Sequence, residues 1–174
     1  PLPCARAPRV GERHHVVDHQ LCGRSFTVGD NDEVFDGLGL LDIETRRGGQ
    51  RAVGEILTRW TKPDGSQELI TGFENHGGFT ALGSDATPLA KVEIGVGNGT
   101  DGHDGAVQGR VIGAYPHGPI LPRNPALADH LLELALGRSL APLPRAEVTA
   151  EHELLRSQRI NVVRTTPNRA EQTR

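Results

Sequence analysis

The run Gly113-Ala114-Tyr115-Pro116-His117-Gly118-Pro119-Ile120-Leu121-Pro122 leaves the backbone few options. Its prolines cannot serve a central strand or a helix interior, and its glycines open backbone space closed to other residues, so the segment must be a tight connection. The apolar stretch from Arg110 to Tyr115 reads as a strand before it, and Asn124-Pro125 reads as a helix start after it. A fold containing this run feeds a strand into a helix through a rigid turn. His117 sits in that turn, where rigid elements on both sides can hold an imidazole in place.

The rest of the chain supports a sheet-containing fold. From Phe35 onward, short apolar segments at 38–43, 52–60, 69–73, 91–95 and 107–114 alternate with the turn formers Gly48-Gly49, Pro63-Asp64-Gly65 and Gly97-Asn98-Gly99. The 22 Gly and 12 Pro among 174 residues fit many short elements better than a helix bundle. Val53, Ile56 and Leu57 stand among polar neighbours, which predicts a half-exposed strand. A helix is predicted over 125–136: Asn124 caps it, Leu127, Leu131, Leu134 and Ala135 share one face, and Gly137 ends it. A second is predicted over 149–159, with Thr149 as cap and Glu151 and Glu153 near its positive end. Residues 1–19, proline-rich and without periodicity, are expected to be atypical and poorly ordered. Residues 20–160 form the domain and 161–174 a polar tail.

Charge and hydropathy exclude several classes. A net charge of −3 and a pI near 6.3 argue against a general nucleic-acid binder. No stretch approaches the roughly 20 apolar residues that cross a bilayer, and residues 1–20 lack the apolar centre of a signal peptide, so a cytoplasmic protein without membrane insertion is expected. Cys4 and Cys22 are expected to stay reduced in that compartment. No methionine occurs, even at position 1, which is expected of a fragment or a processed product.

Two further segments carry chemistry-bearing residues. Thr71-Gly72-Phe73-Glu74-Asn75-His76-Gly77-Gly78 sets a carboxylate, an amide and an imidazole between a strand end and a double glycine expected to turn the chain sharply. Either the run is a hydrogen-bonded corner bracing a neighbouring loop, or it touches substrate directly. Arg51 enters a strand from the Gly48-Gly49 loop, where its guanidinium is either a surface charge or a two-pronged grip on a substrate carboxylate. Cys4, His14, His15, His19 and Cys22 match no compact zinc spacing, so no metal site is expected. The cluster 97–102 lacks the ending of a calcium loop or phosphate cradle and reads as a hairpin turn.

Taken together, the run 72–78, the His117 turn and Gly37-Leu38-Gly39-Leu40-Leu41-Asp42 resemble the cobyric acid synthase-like class I glutamine amidotransferases. The resemblance spans roughly 20–159 and is strongest toward the glutaminase subunits of lipid II isoglutaminyl synthase. It implies an α/β, three-layer, flavodoxin-like domain, here N-terminally truncated. It also implies a glutaminase that supplies ammonia to a Mur-ligase-like partner in a heterodimer, for amidation of the lipid II stem-peptide D-glutamate in peptidoglycan synthesis. ATP and Mg are then expected in the partner, with no cofactor in this subunit.

By position, His117 matches the family's catalytic histidine and Arg51 the arginine that holds substrate glutamine, with the 74–78 run shaping the site. The family's nucleophile is a cysteine on a strand-to-helix elbow, in a Cys-x-Gly-Tyr-Gln pattern. Alignment on Gln20, Gly23, Arg24 and Ser25 puts Val16 at that cysteine, Asp18 at the glycine and His19 at the tyrosine. Cys22 lies six residues further on, about one and a half helical turns away. The abrupt loss of resemblance before Gln20 is expected of a displaced reading frame or an aberrant start, and the chain as given is then impaired. Pro119 stands where many class I enzymes place a glutamate that orients the histidine. A cobyric acid synthase-like amidotransferase and a non-catalytic binding subunit are the alternatives.

Overall fold

The computed structural model describes residues 19–28, 32–99, 101–141 and 146–165. Val16, Cys4, His14, His15 and the chain beyond Thr165 lie outside them. Among the described residues no helix is long and apolar enough to cross a membrane.

Two long strands organise the sheet. Strand β3 (Ile43–Thr61) pairs antiparallel with β4 (Gln67–Leu82) across the tight turn at Pro63-Asp64-Gly65. Strand β1 (Ser25–Val28) lies parallel to the start of β3, and β2 (Glu33–Asp36) pairs antiparallel with β1 at the edge. On the other side β5 (Ala90–Ile94) pairs with β3, and β6 (His103–Asp104) with β5. The 97–102 cluster therefore joins two antiparallel strands, as its turn residues predict. A small hairpin, β7 (Ala106–Gln108) and β8 (Val111–Gly113), leads into the His117 turn. Three helices follow: α1 (Ile120–Arg123), α2 (Pro125–Leu136) and α3 (Ala146–Thr165).

The helices cover opposite faces of the sheet. Trp60 and Ile70 look toward α2, where Leu127 joins them with Leu89 and Ile112, and the Trp60 and His130 rings lie 5.2 Å apart. Leu57 looks the other way, onto Ile160 and Val163 of α3, and Arg159 grips both Glu55 carboxylate oxygens at 2.6 Å. The result is helix, sheet and helix, a mixed α/β fold consistent with a class I glutamine amidotransferase domain. Ile56, Leu57 and Thr58 are all buried. The expected half-exposed strand is thus corrected to a central one, because α3 covers its second face.

Several expected boundaries move for identifiable reasons. Segment 38–43 is mostly loop: the amides of Leu38, Gly39, Leu40 and Leu41 donate to the carbonyls of Leu21, Gly23 and Cys22 instead of to a ladder. The same bonds hold 20–24 as a turn rather than the helix implied after an elbow, and Cys22 is a core residue packed with Leu41 and Ile43. Gly48-Gly49 does not separate two strands but lies in an irregularity inside β3, where Arg47 pairs with Gly78 and Ala52 with His76. Gly77-Gly78 does not turn the chain; β4 runs straight through it. Segment 107–114 breaks into β7 and β8. Helix α3 begins at Ala146, upstream of Thr149, and continues past Arg159 through 161–165, expected as tail, because Val163 is buried.

Candidate active site

The His117 turn is built against β4. His117 N–H donates to the Phe73 carbonyl at 2.7 Å, and Phe73 N–H returns a longer bond of 3.4 Å to the His117 carbonyl. One residue back, Gly72 lets Pro116 come close: a Cβ on Gly72 would lie 2.5 Å from the Pro116 Cβ. One residue further back, the Thr71 N–H donates to Asn124 Oδ1, and Asn124 Nδ2 donates to the Thr71 and Ile120 carbonyls, at 2.7–2.8 Å. Asn124 precedes α2 as expected, yet its side chain makes no capping bond and ties the helix start to β4 instead. Gly72→Ala should therefore push the turn off β4, costing about 1–3 kcal/mol in a denaturant melt by the usual penalty for overpacking. A variant as stable as the parent would contradict this account of the turn.

Tyr115 anchors the turn from the other side. Its hydroxyl shares a hydrogen bond of 2.6 Å with Thr80 Oγ1, which in turn shares one of 2.8 Å with Thr45 Oγ1. Its ring stacks on His76 with centroids 3.7 Å apart and meets His19 edge-on at 4.8 Å. Burial pushes the Tyr115 phenol up, so it stays protonated as a hydrogen-bonding strut.

The 74–78 run divides by strand alternation. Glu74 is buried and its carboxylate accepts the N–H groups of Val96 and Gly97 at 2.9–3.1 Å, bracing the turn between β5 and β6. Gly97 adopts φ of +58°, which favours glycine there. His76 is also buried, with Nδ1 2.9 Å from the Gly78 carbonyl. Asn75 faces outward and its Oδ1 accepts from Arg51 Nε at 3.1 Å and Nη2 at 2.8 Å. The bracing reading holds for Glu74, and Asn75 points the other way. Glu74 braces a loop while Asn75 lines a cavity.

That cavity, about 550 Å³, brings together His19, Arg51, Asn75, His76, Tyr115 and His117. Its size suits a small-molecule ligand. Among the described residues its lining holds one arginine and no carboxylate, so an anionic group on the ligand is favoured. Among the described residues no group of three His, Cys, Asp or Glu side chains could hold a metal ion.

Two buried groups next to the cavity titrate abnormally. Burial, reinforced by nearby His76, pushes the His19 imidazole down to about 4. The Asn98 amide offsets this in part, although neither ring nitrogen makes a hydrogen bond of good geometry. Burial pushes the Asp104 carboxyl up to about 7, with the nearby Glu74 charge adding to the shift.

The two act on stability with opposite signs. Between about 4 and 7 the folded protein keeps the Asp104 proton that the unfolded chain has lost, so stability falls as pH rises. Between about 4 and 6.5 the unfolded chain protonates His19 and the folded protein does not, so stability rises with pH. Each slope approaches about 1.4 kcal/mol per pH unit and the pair largely cancels. Urea midpoints of Asp104→Asn should therefore climb from pH 4.5 to 6.5 relative to the parent, and those of His19→Phe should fall. Midpoints of both variants that run parallel to the parent would rule this out.

The residues singled out in the sequence, His117 and Arg51, thus share one cavity. Sequence reasoning missed Tyr115 as an anchor, His19 as a wall and Asn124 as a strand clamp. Tyr115 lies inside the run first singled out, two residues before His117, which was its available signal. His19 had its place in the elbow pattern as a signal, whereas the clamping role of Asn124 gave none, because it depends on a strand far away in the chain.

Comparison with known proteins identifies the family. Residues 19–125 match the CobB/CobQ-like glutamine amidotransferase domain. The chain belongs to that family. It is 36% identical over 137 residues to the GatD subunit of the glutamine-hydrolyzing lipid II isoglutaminyl synthase of Staphylococcus aureus, covering 78% of this chain and 54% of that protein. The corresponding subunit of Streptococcus pneumoniae is 36% identical over 119 residues, 67% of this chain and 44% of that protein. A probable cobyric acid synthase of Methanothermobacter thermautotrophicus is 43% identical over 89 residues, 48% of this chain and 18% of that protein. The chain spans about half the length of the first two relatives.

Proposed function

We propose that the chain belongs to a lineage of glutaminase components of amidating synthases, which hydrolyse glutamine to glutamate and ammonia for a separate ATP-dependent ligase, and that it keeps the glutamine site of that lineage. The observation that carries this reading is the shared cavity of Arg51 and His117. Phe73, beside His117, and Asn75, beside Arg51, are two residues apart on β4, or roughly 7 Å at strand rise. Extended glutamine spans about 5 Å from its α-carboxylate carbon to its amide carbon, four bonds of about 1.5 Å. A ligand whose carboxylate meets Arg51 can therefore bring its amide to His117.

Amide hydrolysis through a thioester needs a thiolate to attack the amide carbon and a base that takes the thiol proton. The same group then returns the proton to the departing ammonia, and water cleaves the thioester to glutamate. His117 serves the proton transfers and Arg51 the binding. The thiolate belongs at position 16, where Val16 stands, so this chain is expected to bind glutamine without turning it over. The relatives named as lipid II isoglutaminyl synthase subunits favour a Mur-ligase-like partner carrying ATP and Mg, a cytoplasmic heterodimer, and peptidoglycan amidation.

The match to cobyric acid synthases favours the related amidotransfer to cobalamin precursors as a second reading. Val16 favours a third, a binding subunit without catalysis. Co-expression with each candidate ligase, with ammonia release followed after a cysteine-bearing elbow has been supplied, separates the three. Ammonia release with the Mur-type ligase supports the first, release only with a cobyric acid synthetase the second, and ligase binding without glutamine binding the third.

A further inference from the structure

The arginine in the cavity is held by an amide, whereas six arginines elsewhere in the described residues are held by carboxylates. Arg24, Arg46, Arg59, Arg156, Arg159 and Arg164 pair with Asp42, Glu44, Glu93, Glu68, Glu55 and Glu93 respectively. Among the described residues Arg51 pairs with no carboxylate; Nε and Nη2 both donate to the single Oδ1 of Asn75. Strand geometry produces the contact. Ala52 pairs with His76 and Val53 with Asn75, and the irregularity after Arg47 sends the chain out of the ladder just before Arg51. Arg51 can then fold its guanidinium back over Asn75.

We propose that Asn75 is a specificity-determining positioning residue: a neutral clamp that aims Arg51 into the cavity and leaves its charge unspent for the carboxylate of an α-amino acid ligand. This rests on the glutamine-site reading above. A guanidinium has five N–H donors, and two of them, both on the Nε edge, are spent on Asn75. The end formed by Nη1 and Nη2 keeps three donors and can fork onto a carboxylate. An amide oxygen fixes the plane of the guanidinium without cancelling its charge. A carboxylate in the same place would form the bidentate ion pair that arginine favours, and the ligand's own carboxylate would then meet a neutralised partner and a repelling anion. Asparagine and aspartate have the same shape, so the clamp is selected by charge alone.

The test measures binding of L-glutamine and of its α-carboxamide, which lacks the carboxylate, to the full chain by titration calorimetry. The parent should prefer glutamine by roughly 10- to 100-fold, the worth of a charge-assisted fork. Asn75→Asp should bring that ratio close to one, with the loss falling on glutamine rather than on the carboxamide. Asn75→Ala, which removes the clamp but keeps the cation, should reduce the ratio less. This ranking, with the isosteric change the more harmful, is the reverse of what a packing role gives.

An Asn75→Asp ratio equal to the parent's, with Arg51→Ala abolishing the preference, overturns the inference and leaves the glutamine site standing. Equal weakening of both ligands also overturns it, since that is a structural effect. A parent with no preference for glutamine over its carboxamide overturns the glutamine-site reading itself, and the clamp with it. Thermal melts of each variant confirm that the compared proteins are folded.

Discussion

Replacing residues 1–19 with a family-like apolar strand that ends in a cysteine at position 16 is expected to convert a chain with no measurable glutamine hydrolysis into an active glutaminase. The reasoning is chemical. A histidine without a nucleophile can accept and return a proton but cannot form the thioester, and Cys22 is enclosed by Leu41 and Ile43 in the core rather than lining the cavity. His117→Ala in the grafted protein should lower turnover by roughly 10²- to 10⁴-fold, the usual contribution of general acid-base catalysis. Glutamine binding should change little if, as proposed, Arg51 holds the substrate carboxylate. Ammonia release measured under saturating glutamine separates the two effects. A His117→Ala graft with full turnover would remove this residue from the mechanism.

Arg51→Ala is expected to weaken glutamine binding by roughly 10- to 100-fold through loss of charge-assisted hydrogen bonds. Arg51→Lys should recover only part of it. An ammonium is a compact point charge on a flexible stem and cannot donate to Asn75 and a carboxylate with one rigid plane. Stability should be nearly unaffected in both variants, since Arg51 is exposed and its side chain hydrogen-bonds the exposed Asn75. Calorimetric titration together with a thermal melt checks both halves of this expectation. Unchanged affinity in Arg51→Ala would show that the ligand is gripped elsewhere in the cavity.

The elements readable from the sequence were those whose signals are local. Pro125 and Gly137 bracket α2, Pro63-Asp64-Gly65 makes the β3 to β4 turn, and the proline-glycine frame around His117 marks a fixed loop. Glycine misled wherever its role was close approach rather than turning. A Cβ on Gly78 would meet Thr45, Gln20 and Tyr115 side chains at 2.6–3.3 Å, so a residue that reads as a turn sits in the middle of a strand, making room for neighbours far away in sequence.

The burial of Leu57 depends on α3 docking a hundred residues later, which period-two alternation cannot report. The same limit applies to the site. Arg51 and His117 carried recognisable contexts, whereas the split between Glu74 and Asn75 emerged only once β4 was seen to run straight. Alternation then sent one toward the loop at Gly97 and the other toward Arg51.

As proposed, the cavity between Arg51 and His117 is a glutamine site in a chain that lacks its nucleophile. Glutamine labelled with ¹⁵N at the side-chain amide, followed by NMR in the presence of the unmodified chain, tests it in one sample. With the protein labelled as well, saturable shifts are expected in the signals of Arg51, Asn75 and His117, with the amide label remaining on glutamine. Labelled ammonium appearing at a rate set by protein concentration, or saturation that leaves those three residues unshifted, would contradict it.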